Sequence, residues 1–171
     1  LNDYKIYLTH EIFHTYIHGN SDSKVVNALL PNIDINYISE LKDKLFINLL
    51  NKIKIIDSSV DFIKKIKLNG HICSIVTNCN RIVAEKIINY IELNKYIDFI
   101  TIGSECKNSK PHPDPYNETI ANYNIPKNKT IIFEDSKSGL LSARLANPLC
   151  VVGITSNYNS NELKNLGANI T

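Results

Sequence analysis

Short apolar runs alternate with amphipathic stretches along the second half of the chain. Residues 72–76 and 131–133 are mostly apolar and rich in β-branched side chains, which is typical of parallel strands covered on both faces. The stretches between such runs repeat apolar residues at three- and four-residue intervals, which predicts helices. Alternation of this kind favours right-handed βαβ units and an α/β fold with an open, doubly wound parallel sheet.

Polar residues that directly follow the strands are the first candidates for function, because ligands of such sheets lie at the carboxyl ends of the strands. The strands are predicted at residues 71–76, 99–102, 130–133 and 150–154, with the start of another at Ala168. The helices are predicted at residues 81–93, 114–123 and 139–146, with one more between Asp57 and Gly70 and a short one near Glu162.

The first part of the chain has helical spacing and no run that predicts a strand. Apolar residues recur at helical intervals from about residue 7 to residue 54. Ser21 or Ser23 is suited to cap one short helix, and Asp34 is suited to cap a longer one. The chain is therefore predicted to have two parts, a helical unit over residues 1–56 and an α/β unit over residues 57–171.

Composition limits the classes of function. A net charge of +2 over 171 residues, with lysines spread among acids, does not favour nucleic-acid binding. The four cysteines form no C-x-x-C pair, which favours a reducing compartment over a disulfide framework. The sequence has neither an apolar run long enough to span a bilayer nor a signal-peptide pattern, so we expect a cytoplasmic protein without a membrane partner. Nothing in the sequence indicates the oligomeric state.

Groups suited to anion binding follow the first two predicted strands. Thr77 and Asn78 stand before a helix, where a hydroxyl, an amide and free backbone N–H groups can hold an anion. Either side chain could equally serve as a simple helix N-cap. Lys110 follows the second strand in a loop stiffened by the three prolines of residues 111–115. A lysine fixed in this way can act as a point charge for a phosphate or a carboxylate, although a surface lysine in a turn would fit the same pattern.

Two adjacent acids, Glu134 and Asp135, follow the third predicted strand. Neighbouring carboxylates at the end of a buried strand repel each other and are costly to desolvate without a counter-charge. A hard cation with oxygen ligands, such as Mg²⁺, relieves that cost. The alternative is a simple helix cap, a role that Ser136 could also fill.

These strand-end segments together resemble a known family, the haloacid dehalogenase superfamily, in its branch with a small helical cap, which includes phosphoglycolate phosphatase and β-phosphoglucomutase. The resemblance to the second, third and fourth motifs of the superfamily lies in Val76-Thr77-Asn78, Ser109-Lys110-Pro111-x-Pro113-Asp114 and Phe133-Glu134-Asp135-Ser136-x-x-Gly139.

The resemblance implies a Rossmann-like core with the cap inserted after its first strand. It also implies a Mg²⁺-dependent phosphatase that hydrolyses a small phosphorylated metabolite through an aspartyl-phosphate intermediate. In that scheme Thr77 hydrogen-bonds the transferring phosphoryl group, Asn78 helps to bind the substrate, and Lys110 offsets the charge of nucleophile and phosphate. Asp135 ligates Mg²⁺, and Glu134 supports the ion directly or through water.

The segment that contains His18, Gly19 and Asn20 resembles the cap loop that faces the active site in this branch, which makes these residues candidates for substrate binding. Its simpler role is a turn between helices, which the glycine fits equally well. The mutases of the branch imply an arginine near position 22 to hold a second phosphate. The acid at Asp22 therefore favours a phosphatase over a mutase.

The first motif of the superfamily, Asp-x-Asp-x-Thr/Val, does not occur in this sequence. That motif carries the nucleophile and the general acid/base, and Asp3 lies in no such context. The chain also contains no methionine and opens on Leu1. We therefore expect a truncated chain that lacks the first core strand and is inactive by itself. Three hypotheses stay open: a phosphatase, a related mutase or phosphonate hydrolase, and a catalytically inactive binding or regulatory module.

Overall fold

The structure is a computed structural model that describes residue 4 and residues 6–171, apart from the side chain of Asp57. Asp3, considered above, lies outside the described residues. The α-helices of the described part are α1 (His10–Ile12), α2 (Asp22–Leu29), α3 (Ile35–Asn48), α4 (Asp57–Leu68), α5 (Arg81–Tyr90), α6 (Asp114–Asn122), α7 (Lys137–Ala146) and α8 (Ser160–Asn165). The strands are β1 (Ser74–Thr77), β2 (Phe99–Ile102), β3 (Ile131–Glu134) and β4 (Cys150–Gly153).

Helices and parallel strands alternate from α4 onward, which confirms the predicted α/β architecture. β1 pairs with β2 and β3 pairs with β4, both in parallel, but the described strands form two separate two-stranded sheets. Thr77 lies opposite Ile102, and Glu134 lies opposite Gly153, so the strands of each pair end together. Among the described residues, no strand pairs with the second edge of β1 or the second edge of β3.

The main apolar core lies between β3, β4 and the helix that joins them. Leu140, Ala143 and Ala146 lie on one face of α7 and are each 0% exposed. They pack with Ile132 of β3 and Val151 of β4. The three-residue spacing on α7 and the alternation of buried and exposed positions on β3 are what a helix on one face of a sheet requires.

The other face of β3 is covered only in part. Ile131 and Phe133 are 51% and 48% exposed, and the ring of Phe133 meets Phe62 of α4 edge to face at 5.6 Å between centroids. This contact links the helix that precedes β1 to the sheet formed by β3 and β4. The prediction that both faces of the strands are covered is therefore wrong for β3 in the described structure.

Several element boundaries differ from the sequence prediction by a few residues. β1 begins at Ser74 and not at residue 71, because the backbone N–H of Cys73 is held by the carboxylate of Asp98 at 2.8 Å. α7 begins at Lys137, two residues before the predicted start, since the side chain of Ser136 caps it by accepting from Gly139 N at 3.0 Å. The strand expected at Ala168 is reduced to one bridge between Val152 and Ile170.

The described residues before α4 contain helices and no strand, as the sequence predicts. After α1 the chain continues in a π-helical turn, Phe13–Ile17, so the expected apolar stripe does not run along one regular helix. Asp34 caps α3 by accepting from Asn36 N at 2.8 Å. Leu45, one of the apolar residues at helical intervals, is 54% exposed on α3. The division of the chain at residue 56 stays a prediction.

Among the residues that the structure describes, no helix combines the length and the apolar composition that crossing a membrane requires.

We predict that Leu140→Ala lowers the free energy of unfolding by about 2–5 kcal/mol, because it leaves a cavity at a fully buried position. Leu145→Ala on the same helix is the matched control, since Leu145 is 57% exposed. Urea unfolding followed by circular dichroism measures both changes. Equal effects of the two substitutions would contradict the assigned core.

Candidate active site

Three segments of the chain meet around the side chain of Lys110 at the carboxyl ends of β1 and β3. The ammonium Nζ donates to Val76 O at 2.6 Å, to the Tyr116 hydroxyl at 3.0 Å and to Glu134 Oε1. The side chains of Lys110 and Glu134 are only 7% and 8% exposed. Burying two charges costs several kcal/mol per ion unless further hydrogen bonds satisfy them, and the Val76 and Tyr116 contacts do so. The site is therefore built around a buried, fully partnered ammonium group.

Glu134 is held from a second side by Tyr116, whose hydroxyl donates to Oε1. Burial, followed by the negative charge of Glu134, raises the pKa of Tyr116 well above its ordinary value, so the phenol stays protonated as a donor. Gly139 of α7 lies directly against this carboxylate, and a Cβ at that position would collide with both oxygens. The glycine of the Glu-Asp-Ser-x-x-Gly segment is thus required by the ion pair.

Asn78 connects β1 to two other parts of the site. Its side-chain amide donates to Gly19 O at 3.1 Å and to Lys110 O at 3.2 Å, and its Oδ1 accepts from Lys110 N at 3.2 Å. Both amide hydrogens are therefore used within the protein. The predicted role of Asn78 in substrate binding stays a prediction, and the geometry gives it a positioning role.

The cap loop that contains His18, Gly19 and Asn20 lies directly over the strand ends. Gly19 has φ of +72°, and a Cβ there would collide with the side chain of Ser136 at the start of α7. Asn20 donates to Tyr16 O at 3.1 Å and so closes the π-helical turn. Of the three substrate-binding candidates in this loop, Asn20 uses its side chain for a hydrogen bond within the loop. Gly19 allows the loop to pack closely against Ser136.

Asp135 has the most accessible carboxylate at this edge of the sheets, with its side chain 43% exposed. Its Oδ2 accepts from Ser156 Oγ at 3.0 Å and lies 3.7 Å from His18 Nε2. Thr77, at the end of β1, accepts from Cys79 N at 3.0 Å through Oγ1, which leaves the hydroxyl hydrogen free to donate. A hydroxyl donor, a buried ammonium and an accessible carboxylate therefore lie at the ends of β1 and β3.

Asp135 fits a hard cation as a single oxygen ligand. Glu134 turns towards Lys110 and Tyr116. These contacts do not favour a role of Glu134 in holding Mg²⁺, and that role stays a prediction. Residue 4 and residues 6–171 contain no group of three or more His, Cys, Asp or Glu side chains placed to hold a metal ion. A magnesium site at Asp135 would need oxygen ligands beyond those residues, from water, substrate phosphate or other carboxylates.

Sequence reasoning missed Tyr116 and Ser156. Ser156 stands in the turn after β4, where the strand-end rule alone could have identified it. Tyr116 stands in the first turn of α6, where no local pattern indicates that its hydroxyl reaches a carboxylate of β3. Asp22 lies on α2, and both of its oxygens are 2.6 Å from Lys42 Nζ, so the acid is already paired.

Comparison with known proteins identifies the family. The model of the haloacid dehalogenase-like hydrolases matches residues 2–152. Phosphorylated carbohydrates phosphatase of Thermotoga maritima is 29% identical over 124 residues, which are 71% of this chain and 55% of that protein. Phosphoglycolate phosphatase of Colwellia psychrerythraea is 28% identical over 97 residues, 57% of this chain and 42% of that protein. The chain thus spans about half the length of these relatives.

A solved structure supports the same fold. β-Phosphoglucomutase of Clostridium difficile superposes with a TM-score of 0.79 at 20% identity. The superposition covers 99% of this chain and 78% of that structure. Because the family model matches residues 2–152, the chain belongs to the haloacid dehalogenase-like hydrolase family.

We predict that Glu134→Gln lowers the free energy of unfolding by about 3–5 kcal/mol, because it leaves the buried ammonium of Lys110 without its counter-charge. Glu40→Gln is the control, since the side chain of Glu40 is 72% exposed and its nearest cation is 3.8 Å away. That change is expected to cost less than about 1 kcal/mol. Chemical unfolding measures both changes. A decrease in the free energy of unfolding for Glu134→Gln as small as that of the control would mean that the Lys110–Glu134 ion pair does not form in solution.

Proposed function

We propose that the protein to which this chain belongs is a Mg²⁺-dependent phosphatase of small phosphorylated metabolites that works through an aspartyl-phosphate intermediate. The observation that carries the proposal is the ammonium group of Lys110, fixed between Val76 O and Glu134 at the strand ends beside Thr77 and Asp135. The named activities of the two relatives, both phosphatases, agree with it.

Lys110 supplies fixed positive charge where a phosphoryl group would sit. Because its Nζ is held by three acceptors in a buried site, it needs no reorganisation when charge develops on the transferring group. The free hydrogen of the Thr77 hydroxyl can donate to a phosphoryl oxygen from the adjacent strand end. The Thr77 hydroxyl would bind a phosphoryl oxygen. The ammonium of Lys110, whose three N–H groups are already used within the protein, would act on the phosphate through its charge.

The reaction has two steps that conserve the catalytic carboxylate. An aspartate oxygen would attack phosphorus, the bond from phosphorus to the substrate oxygen would break, and the general acid of the Asp-x-Asp motif would protonate that oxygen. Water would then attack phosphorus of the acyl phosphate and give its proton to the same acid/base, which releases inorganic phosphate and restores the aspartate. The nucleophile would belong to the Asp-x-Asp motif, which does not occur in residues 1–171. We propose that a strand carrying this motif pairs with the free edges of β1 and β3, directly beside Lys110.

Asp135 is the proposed metal ligand of this chain, because its carboxylate is accessible and keeps lone pairs free beyond the Ser156 contact. Mg²⁺ would stabilise the negative charge of the phosphoryl group during transfer. Ser156 would hold the carboxylate in one orientation for this purpose.

The mutase hypothesis has less support. A mutase must hold a second phosphate in the cap, and the acid at Asp22 is paired with Lys42, which also lies 3.2 Å from Asp43. Lys42 therefore has two carboxylates as partners and is poorly placed to bind a phosphate. An inactive binding module would release no phosphate from any ester, so the assay below separates it from the enzyme.

We predict that the protein with its full reading frame releases inorganic phosphate from phosphate monoesters only with Mg²⁺, and that Lys110→Ala lowers kcat/KM by about 10²–10³-fold or more. Lys107→Ala, in the same loop but exposed, is the control and is expected to retain activity. Circular dichroism checks that each variant is folded. Turnover by a folded Lys110→Ala variant would refute the role of Lys110.

We predict that Asp135→Asn raises the Mg²⁺ concentration needed for half-maximal phosphate release by about tenfold or more, because the metal loses an anionic ligand. Asp61→Asn on α4, an exposed position, should leave this concentration unchanged. The same Mg²⁺ dependence in both variants would place the metal elsewhere.

A further inference from the structure

A cleft of about 110 Å³ lies between the π-helical turn of the cap and the first turn of α7. Its lining includes His14, His18 and Lys24 from the cap side and Lys137 and Ser138 from α7. No side chain that lines it is acidic. Lys110, Thr77 and Asp135 do not line this cleft. His18, which does line it, lies next to Asp135.

Three buried polar atoms of the cleft lining have no hydrogen-bond partner among the described residues. They are the hydroxyl of Ser138 and the Nδ1 atoms of His14 and His18. Ser138 is only 5% exposed. A buried polar group without a partner costs about 1–3 kcal/mol, so a cluster of three in one cleft calls for a ligand that pairs with them.

The α7 side of the cleft is suited to an anion. The backbone N–H groups of Lys137 and Ser138 lie in the first turn of this ten-residue helix and donate to no acceptor in the described part of the chain. The helix dipole adds partial positive charge at the same point. Lys24 and Lys137 add two ammonium groups, and neither forms an ion pair with any described residue.

The ring of His18 joins this cleft to the proposed reaction site. Its Nε2 lies 3.7 Å from Asp135 Oδ2, and the residue also lines the cleft, with a buried Nδ1 that has no partner among the described residues. A molecule whose phosphate lies at Thr77 and Lys110 could therefore extend past His18 towards Ser138.

We propose that this cleft binds a second anionic group of the substrate, a carboxylate or a phosphate, and that the protein selects phosphate monoesters that carry one. The proposal rests on the proposed function and deepens it. The hydroxyl of Ser138, the free N–H groups of α7 and the ammonium of Lys137 bind the second anion, and Lys24 closes the cleft from the cap side.

The test compares esters that differ only in the distal group. 3-Phosphoglycerate carries a carboxylate where glycerol 3-phosphate carries CH₂OH, and 6-phosphogluconate and sorbitol 6-phosphate form the same pair with a longer carbon chain. Mg²⁺-dependent phosphate release by the protein with its full reading frame gives kcat/KM for each ester. The acid of at least one pair is expected to have a kcat/KM about tenfold or more above that of its alcohol. Sugar bisphosphates, compared with their monophosphates, test a phosphate in place of the carboxylate.

The variants locate the preference. Lys137→Gln and Ser138→Ala should each remove most of the preference for the acid without lowering kcat/KM for the alcohols. Lys164→Gln, at an exposed position of α8, should leave the preference intact. Thr77→Val removes the hydroxyl proposed to bind the ester phosphate, so it should lower kcat/KM for the acids and the alcohols alike.

Three results would overturn the inference. Equal kcat/KM values within every pair would show that no second anion is bound, and the proposed function would stand if Thr77→Val still lowered kcat/KM for all esters. A preference that survives both Lys137→Gln and Ser138→Ala would place the second anion elsewhere. No phosphate release from any ester would refute both the cleft and the proposed function.

Discussion

The buried ion pair between Lys110 and Glu134 is the constraint on which the rest of the site depends. The described strands form two separate sheets, and this pair joins the end of β1, through Val76 O, to the end of β3. Removing either charge would leave the other buried and unpaired, which is the costly case for ion pairs. The position of the Lys110 ammonium and the relative position of the two sheets are thus coupled.

The same pair accounts for sequence features that have no obvious local reason. Gly139 is required because any side chain would collide with the carboxylate of Glu134, and Tyr116 is buried because its hydroxyl satisfies one oxygen of that carboxylate. Asn78 holds the backbone of Lys110 from both its N–H and its carbonyl, so the lysine is fixed at its base as well as at its tip. Most of the strand-end motif residues therefore position one ammonium group.

Much of the fold could be predicted from the sequence, because it follows from local patterns. Continuous apolar runs and helical spacing identify all four described strands and their alternation with helices. The strand-end rule also brings Thr77, Lys110 and Asp135 to one edge of the molecule. Local patterns could not predict the direction in which each side chain turns. Glu134 and Asp135 are equivalent in sequence, but one is sealed against Lys110 and the other is half-exposed beside Ser156. The approach of Tyr116 to Glu134 depends on the packing of α6 across the sheets, and the exposure of Leu45 depends on which surfaces α3 contacts.

The first turn of α7 has two faces, one towards the Lys110–Glu134 ion pair and one towards the cap. Gly139 faces the Glu134 carboxylate, while Lys137 and Ser138 face the cap and its histidines. Ser136 caps the helix with its side chain and meets Gly19 of the cap loop, so the loop and the helix start are held together. Because Asn78 also donates to Gly19 O, the cap loop is fixed on both sides, and the polar groups of Asn20 and Asn78 are already paired within the protein. The proposed selectivity would then depend on groups that are still unpaired, among them those of His14, His18 and Ser138, which line the cleft.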